Sequence, residues 1–418
     1  PNLLHVDSIT GKQRRGGGPL FRLALAFLAL RSALFVSLAK KLALSRAQTL
    51  GAGRRCNLNI QKLAVAAGLI AVDDSPSRAL AAVTTGERVF RETILPGAIL
   101  TRVAKGHVRV GTFQYFASRQ DTEALSVLAD YVIARHYPAA SEKKNGYLAL
   151  LDAVIEAQAE LIARWMHVGF IHGVMNTDNM SIAGETIDYG PCAFLDDYHP
   201  GTVLSSVDQG GRYAYGNQPT IAHWNVIRFA QCLLPLLGRE DAAVAIAQDA
   251  VNKFPRLYQS AWLAGMRDKL GLHIDQEGDL ELAESLCKLM AAAGADFTNT
   301  FRALCDATRP GHGEASLREN FSNKGAFDAW LARWRSRLQT EPTDDEARVA
   351  SMRRANPAFI PRNHRVEEVI QAAMRGDFAP FETLLHVLSR PYEEPADYAH
   401  YTKPPKPEEV VHATFCGT

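Results

Sequence analysis

Cysteines are scarce in this chain, and none sits in a metal-binding pattern. The six, Cys56, Cys192, Cys232, Cys287, Cys305 and Cys416, are spread over 418 residues with no CxxC and no Cys/His ligand spacing. That spacing excludes a zinc module or a disulfide-stapled scaffold and reads as reduced, mostly buried thiols in a cytosolic setting. Uninterrupted apolar runs long enough to span a bilayer are also missing. The best candidate, PLFRLALAFLALRSALFVSLAKKLAL, is broken by Arg22, Arg31, Lys40 and Lys41, so no membrane partner is expected. Acids are nearly absent from residues 1–72, which hold eleven Lys or Arg and one acid, Asp7. Beyond that stretch no basic stripe with interleaved aromatics occurs, so no nucleic-acid partner is expected.

What is present is ordinary for a soluble globular protein: 47% hydrophobic and 22% charged residues, with a net charge of +1. The length suggests two or three domains. Within the basic N-terminal segment, 1–76, the PLFRLALAFLALRSALFVSLAKKLAL stretch has the Arg-, Leu-, Ala- and Ser-rich composition of an organelle transit peptide, with an amphipathic helix as the plainer alternative. Bacterial cytoplasm is the expected compartment, and the mitochondrion if that leader is real. GAGRR at 51–55 lacks the third glycine and flanking strand of a dinucleotide loop, so no phosphate role is assigned to it.

Residues 77–110 change character. RALAAVTTGERVF and GAILTRVAKGHVRVG are β-branched runs punctuated by glycine and read as strands. From 121 to 170 apolar residues recur at three- and four-residue steps, which predicts helices. The polar segment from DYGP to about 219 has turn residues and reads as an extended loop. Helices resume at TIAHWNVIRFAQCLLPLLG and continue, with breaks, to AWLARWRSRLQ near 338, before a mixed, Pro-rich tail. Strands first and mostly helices after argue for an α+β fold with a small sheet-containing lobe and a larger helical lobe. The expected division is 1–76, 77–138 (the sheet-containing part and hinge), 139–345 (the helical lobe) and 346–418 (a C-terminal extension).

The chemistry concentrates in HGVMNTDNMSIAGETIDYG, residues 172–190. Gly173 and Asn176 suit a tight loop, and MSI and TID read as short strands joined by AGE. Such a loop and hairpin can converge two carboxylates and an amide. Asn179 and Asp188 would then share a divalent cation through hard oxygen donors, leaving Asp178 to accept a proton from an incoming hydroxyl. This is the loop logic of protein kinases, with DYG where they carry DFG. His172 is expected to orient the loop rather than react. The plainer reading is a hairpin whose Asp and Asn cap turns. Upstream, Arg102 and Arg109 stand seven apart in RVAKGHVRVG. They would lie on opposite faces of one strand unless Gly106 resets the phase, and both suit bidentate contacts to phosphate. As plain surface arginines they would do nothing of the kind.

Several segments resemble the selenoprotein O family (SelO, YdiU in bacteria): RALAAVTTGERVFRE, ILTRVAKGHVRVGTFQYFASR, WMHVGFIHGVMNTDNMSIAGETIDYGPCAFLDDYHPG, GRYAYGNQPTIAHWNVIRFAQCLLPLL and the closing FCGT. The resemblance is close from about 77 to 238 and returns at the C-terminus. It implies a protein-kinase-like two-lobed fold that binds ATP reversed and moves AMP onto Ser, Thr or Tyr of proteins, itself among them, with release of pyrophosphate. It further implies Asp178 as base, Asn179 and Asp188 as ligands of Mg2+ or Mn2+, and Arg102 and Arg109 at the ATP phosphates. Cys416 stands where some members carry selenocysteine. Bacterial members can pair that cysteine with one in the loop after DYGP, but DDYHPGTVLSSVD has none. The family's LKGSG-like, RGDGRA-like and LGDGRA-like segments are absent ahead of Ser77, so its ATP-contacting lysine and partner Glu cannot be placed, and Lys62, without flanking glycines, is not assigned that role. Residues 1 to about 75 are therefore expected to be foreign to the fold, from a shifted frame, unusual splice or gene-model error, and the N-lobe incomplete. An active adenylyltransferase, a non-catalytic kinase-like remnant and an ordinary small-molecule kinase are the competing readings.

Overall fold

A computed structural model of the chain describes residues 78–90, 94–309 and 311–415, and on the two long strands only the side chains of Glu87 and Arg88. The calls on residues 1–76, on Cys56 and on Cys416 lie outside the described residues. Two compact units are distinguished, one containing Ala79–Val103 and the other Ala104–Thr418. In the first, β1 (Arg78–Phe90) pairs with β2 (Ile94–Val103), as the β-branched runs predict. The strand reading overran on one side: GHVRVG is not strand, and Val110 opens a helix instead.

The second unit is mostly helical, so the chain is α+β. It begins with α1 (Val110–Ala117) and α2 (Thr122–His136), the latter capped by Asp121, whose carboxylate accepts from Ala124 N. The 23-residue α3 (Gly146–Val168) starts at Asn145, whose side chain accepts from Leu148 N, and stops at Gly169 with φ 72°. Its buried stripe, from Leu150 through Trp165, follows the three- and four-residue periodicity of the sequence. A two-residue pairing then joins β3 (Phe170–Ile171) to β4 (Ala193–Phe194), antiparallel, with Phe170 opposite Phe194. Between these strands hangs the 172–190 stretch.

Beyond the long loop come α4 (Gln218–Leu237), α5 (Glu240–Val251), α6 (Phe254–Leu270), α7 (Asp279–Ala293) and α8 (Phe297–Ala307). The series ends with α9 (Glu314–Glu319), α10 (Lys324–Leu338), α11 (Asp345–Ala355), α12 (Asn363–Met374) and α13 (Ala379–Leu388). Helix α3 packs along α4 and α6, so the element preceding the loop is held on two sides. Buried indoles do double duty. Trp330 and Trp334 stack at 5.7 Å, and each donates Nε1 to a carbonyl at 2.9 Å, Leu282 and Leu270 respectively. Among the described residues no helix is long and apolar enough to cross a membrane.

One buried group works against stability. Lys269 is 2% exposed, its ammonium lies 4.1 Å from the ring centre of Phe301, and no carboxylate pairs with it among the described residues. Burial pushes its pKa down to about 7. Below that pH the folded state carries a buried charge; between about 7 and the unfolded value of 10.5 only the unfolded chain holds the proton, so this penalty fades as pH rises. Lys269→Met is expected to raise stability by about 1–4 kcal/mol at pH 6. The gain should shrink at pH 9 and beyond, as read by urea unfolding across that range. A gain that does not change with pH would contradict the burial argument.

Candidate active site

The 172–190 stretch folds as a loop, a 3-10 turn over Thr177–Asn179 and a tight turn at Gly184, φ 68°. The expected ladder between MSI and TID does not form. Met180 and Ile182 instead bond the upstream segment: Val110 N donates to Met180 O at 3.0 Å and Ile182 N to Val108 O at 2.9 Å, with Arg109 bridged to Ser181. The carbonyls left over are taken by side chains, Ser181 O by Gln158 Nε2 and Ile182 O by Tyr137 Oη, each at 2.7 Å. Those donors come from the packed helical frame, and they compete successfully with a hairpin partner.

Asp178 is exposed on the 3-10 turn, and its carboxylate lies directly on the backbone of Gly111. A Cβ at Gly111 would overlap Asp178 Oδ1. Gly111→Ala is therefore expected to displace the carboxylate and lower turnover about ten- to a hundredfold. The melting temperature should barely move, because Asp178 is at the surface and can give way.

Asn179 donates Nδ2 to Val174 O at 2.9 Å, and its Oδ1 has no hydrogen bond among the described residues. Arg109 opens α1, is half-buried, and its Nε is buried without a partner among the described residues. Asp188 has φ 60°, one of two non-glycine residues so placed among those described. Its half-buried carboxylate has no hydrogen bond or ion pair among the described residues. Left-handed backbone and an unspent carboxylate together mark a position held for something other than stability. Arg102 lies on β2 in the other unit, and its side chain is outside the described residues.

His172 binds the two halves of the stretch. It is fully buried against Trp165, and its Nε2 donates to Ile187 O at 2.9 Å, next to Asp188. Its own N–H is taken by Gln218 Oε1 at 2.9 Å. This is the orienting role expected for it. Two residues that the sequence did not flag complete the frame. Gln218 Nε2 donates to Phe170 O at 2.8 Å, and Asn225 Nδ2 donates to Met175 O at 2.9 Å. Both are fully buried on α4, seven residues apart, hence on one face. Two amides on an otherwise apolar helical stripe are the signal that could have found them.

The residue pattern and this geometry meet in the comparisons. The profile of protein adenylyltransferase SelO matches residues 59–389. The chain belongs to the SelO family. The match starts ahead of Ser77, where family-like sequence was read to begin. Relatives named "Protein nucleotidyltransferase YdiU" include one from Rhizobium etli, 56% identical over 361 residues, covering 86% of this chain and 72% of that protein. Another, from Rhodopseudomonas palustris, is 55% identical over 362 residues, covering 86% and 73%. One from Methylorubrum populi is 58% identical over 351 residues, covering 82% and 70%. As a SelO-family chain it is a nucleotidyltransferase by kinship, and the 172–190 stretch is its candidate site.

Proposed function

We propose that the chain transfers AMP from ATP to Ser, Thr or Tyr hydroxyls of proteins and releases pyrophosphate, on a protein-kinase-like arrangement of its helices. The observation that carries this reading is the pairing of an unspent, strained Asp188 with Asp178 and Asn179 on one bonded loop. In the reaction the acceptor oxygen attacks the α-phosphorus, the bond from that phosphorus to the bridging oxygen breaks, and pyrophosphate departs. Asp178, exposed and pressed on Gly111, takes the hydroxyl proton. Arg109, whose buried Nε has no partner among the described residues, holds phosphate oxygens.

Asn179 Oδ1 and the Asp188 carboxylate are hard oxygens suited to Mg2+ or Mn2+. Among the described residues no three His, Cys, Asp or Glu gather as a metal cluster, which suits an ion completed by phosphate oxygens and water. When bound, such an ion would supply positive charge to neutralise the phosphate. The test is a comparison of ATP labelled at the α- or the γ-phosphate, with Mg2+ or Mn2+ and a mixture of acceptor proteins including the chain itself. Label moved to protein from the α-position alone supports the reading. Transfer from the γ-position alone makes the chain a kinase, and no transfer with no metal-dependent ATP binding makes it a remnant.

A further inference from the structure

A second functional feature lies on α4, one residue from the amide that holds the catalytic loop. Asn225 bonds Met175 O, and its neighbour Trp224 carries two guanidiniums: Arg212 at 4.8 Å and Arg228 at 5.3 Å from the ring centre. Arg228 is one helical turn beyond Trp224 on the same helix. The next residue, Phe229, meets Phe113 edge-on at 4.9 Å, and Phe113 sits two residues after the Gly111 that backs Asp178. The cluster thus shares its helix with residues that pack against the segment bearing the proposed base.

The third member comes from the loop after the DYG stretch, and that loop is fixed. The buried Asp208 carboxylate accepts Arg212 N at 2.8 Å and Tyr213 N at 2.7 Å, while Asn217 Nδ2 donates to Gly211 O at 2.8 Å. Asp208 spends its oxygens on backbone, not on the Arg212 guanidinium. Neither Arg212 nor Arg228 has an ion pair among the described residues, and Arg228 Nε is buried without a partner. Most other arginines of the helical unit pair with carboxylates, Arg302, Arg318 and Arg337 among them. Two cations beside one indole without an anion form a site with a charge to fill.

We propose that Arg212, Trp224 and Arg228 dock an acidic segment of the protein that receives AMP. The proposal rests on the reading that the chain modifies protein hydroxyls, and it adds a preference for acceptors with carboxylates near the hydroxyl. Charge complementarity selects the occupant. A nucleobase would need an open indole face, and here two guanidiniums lie over the ring, neither paired with a carboxylate among the described residues, which suits an anionic occupant. Beyond residue 72 the chain carries more acids than bases, which disfavours a long polyanion such as a nucleic acid but tolerates a short carboxylate cluster.

The experiment uses the full chain and three labelled probes: a peptide with one tyrosine flanked by glutamates, its alanine twin, and a ten-nucleotide single-stranded oligothymidylate. Fluorescence anisotropy without ATP reads binding. The acidic peptide is expected to bind about tenfold or more tighter than the twin at low salt, an advantage that weakens as salt is raised. R212Q/R228Q should erase the difference, and R212K/R228K should keep part of it, with melting curves recorded for each. Equal binding of the two peptides to the unaltered chain overturns the proposal, as does tighter binding of the oligothymidylate or an advantage that persists in R212Q/R228Q. AMP transfer from α-labelled ATP adds a kinetic reading: the acidic peptide should show the lower KM, and the Gln variant should raise that KM with kcat little changed. Should the unaltered chain transfer AMP to no acceptor, the adenylyltransferase reading falls, while the anisotropy result still decides the subsite.

Discussion

Asp188→Asn is expected to cut AMP transfer about 10³-fold or more, with the melting temperature nearly unchanged. The reasoning starts from backbone. Asp188 holds φ 60°, a region that costs an ordinary side chain roughly 1 kcal/mol but that Asn enters almost as readily as Asp. The substitution therefore preserves the local fold. It removes a negative oxygen that no hydrogen bond or ion pair engages among the described residues, so little stability is lost with it. On the proposed reading, what disappears is the anionic ligand that Asp188 would offer a divalent ion. Asp188→Ala should be equally inactive but slightly less stable, because alanine is poorly suited to the left-handed region. Steady-state transfer of α-labelled AMP beside a melting curve checks both. An Asn variant retaining a tenth of the activity would remove Asp188 from the proposed metal-binding role.

Arg362→Ala is expected to cost about 3–5 kcal/mol of folding stability. The Arg362 side chain is 1% exposed and donates to Asp196 and Asp296, each at 2.7 Å. Burial pushes the Asp196 carboxyl above its usual range, against the opposing pull of Arg362. Removing the cation leaves two carboxylates facing each other in a poorly solvated place, which is why the loss exceeds the worth of one ion pair. The next residue ties this position to β4, the strand that follows the candidate site. Asn363 Nδ2 donates to Phe194 O at 2.8 Å, and Asn363 Oδ1 accepts from Phe194 N at 3.2 Å, so it completes β4 as a third strand would. Urea unfolding measures the loss. Replacing Arg362, Asp196 and Asp296 together by apolar residues of similar volume should recover most of it, because no unpaired charge is left behind. A single variant that costs under 1 kcal/mol would show that water reaches the cluster.

The α+β division, the long helices and the extended loop were legible in the sequence because each depends on local pattern. The stripe from Leu150 to Trp165 and the turn residues of 190–217 need no partner to be recognised. The proposed site was legible for the same reason. HGxxNxDN and DYG keep Asp178, Asn179 and Asp188 within eleven residues. The hairpin between MSI and TID was misread because strand pairing is a competition for backbone groups, and local sequence does not name the competitors. Here Val108, Val110, Tyr137 and Gln158 supply them from across the unit.

By itself, then, the sequence determined the class of fold, the segment that carries the chemistry, and kinship with a known family, all properties of residues near one another along the chain. Tertiary structure alone decided that Asp178 rests on Gly111, that Asp188 has no partner among the described residues, and that Gln218 and Asn225 brace the loop from a distant helix. It also brought Arg212 and Arg228 to one indole. Contacts between residues far apart in sequence depend on which packing satisfies the most buried polar groups at once, and no local pattern encodes that outcome.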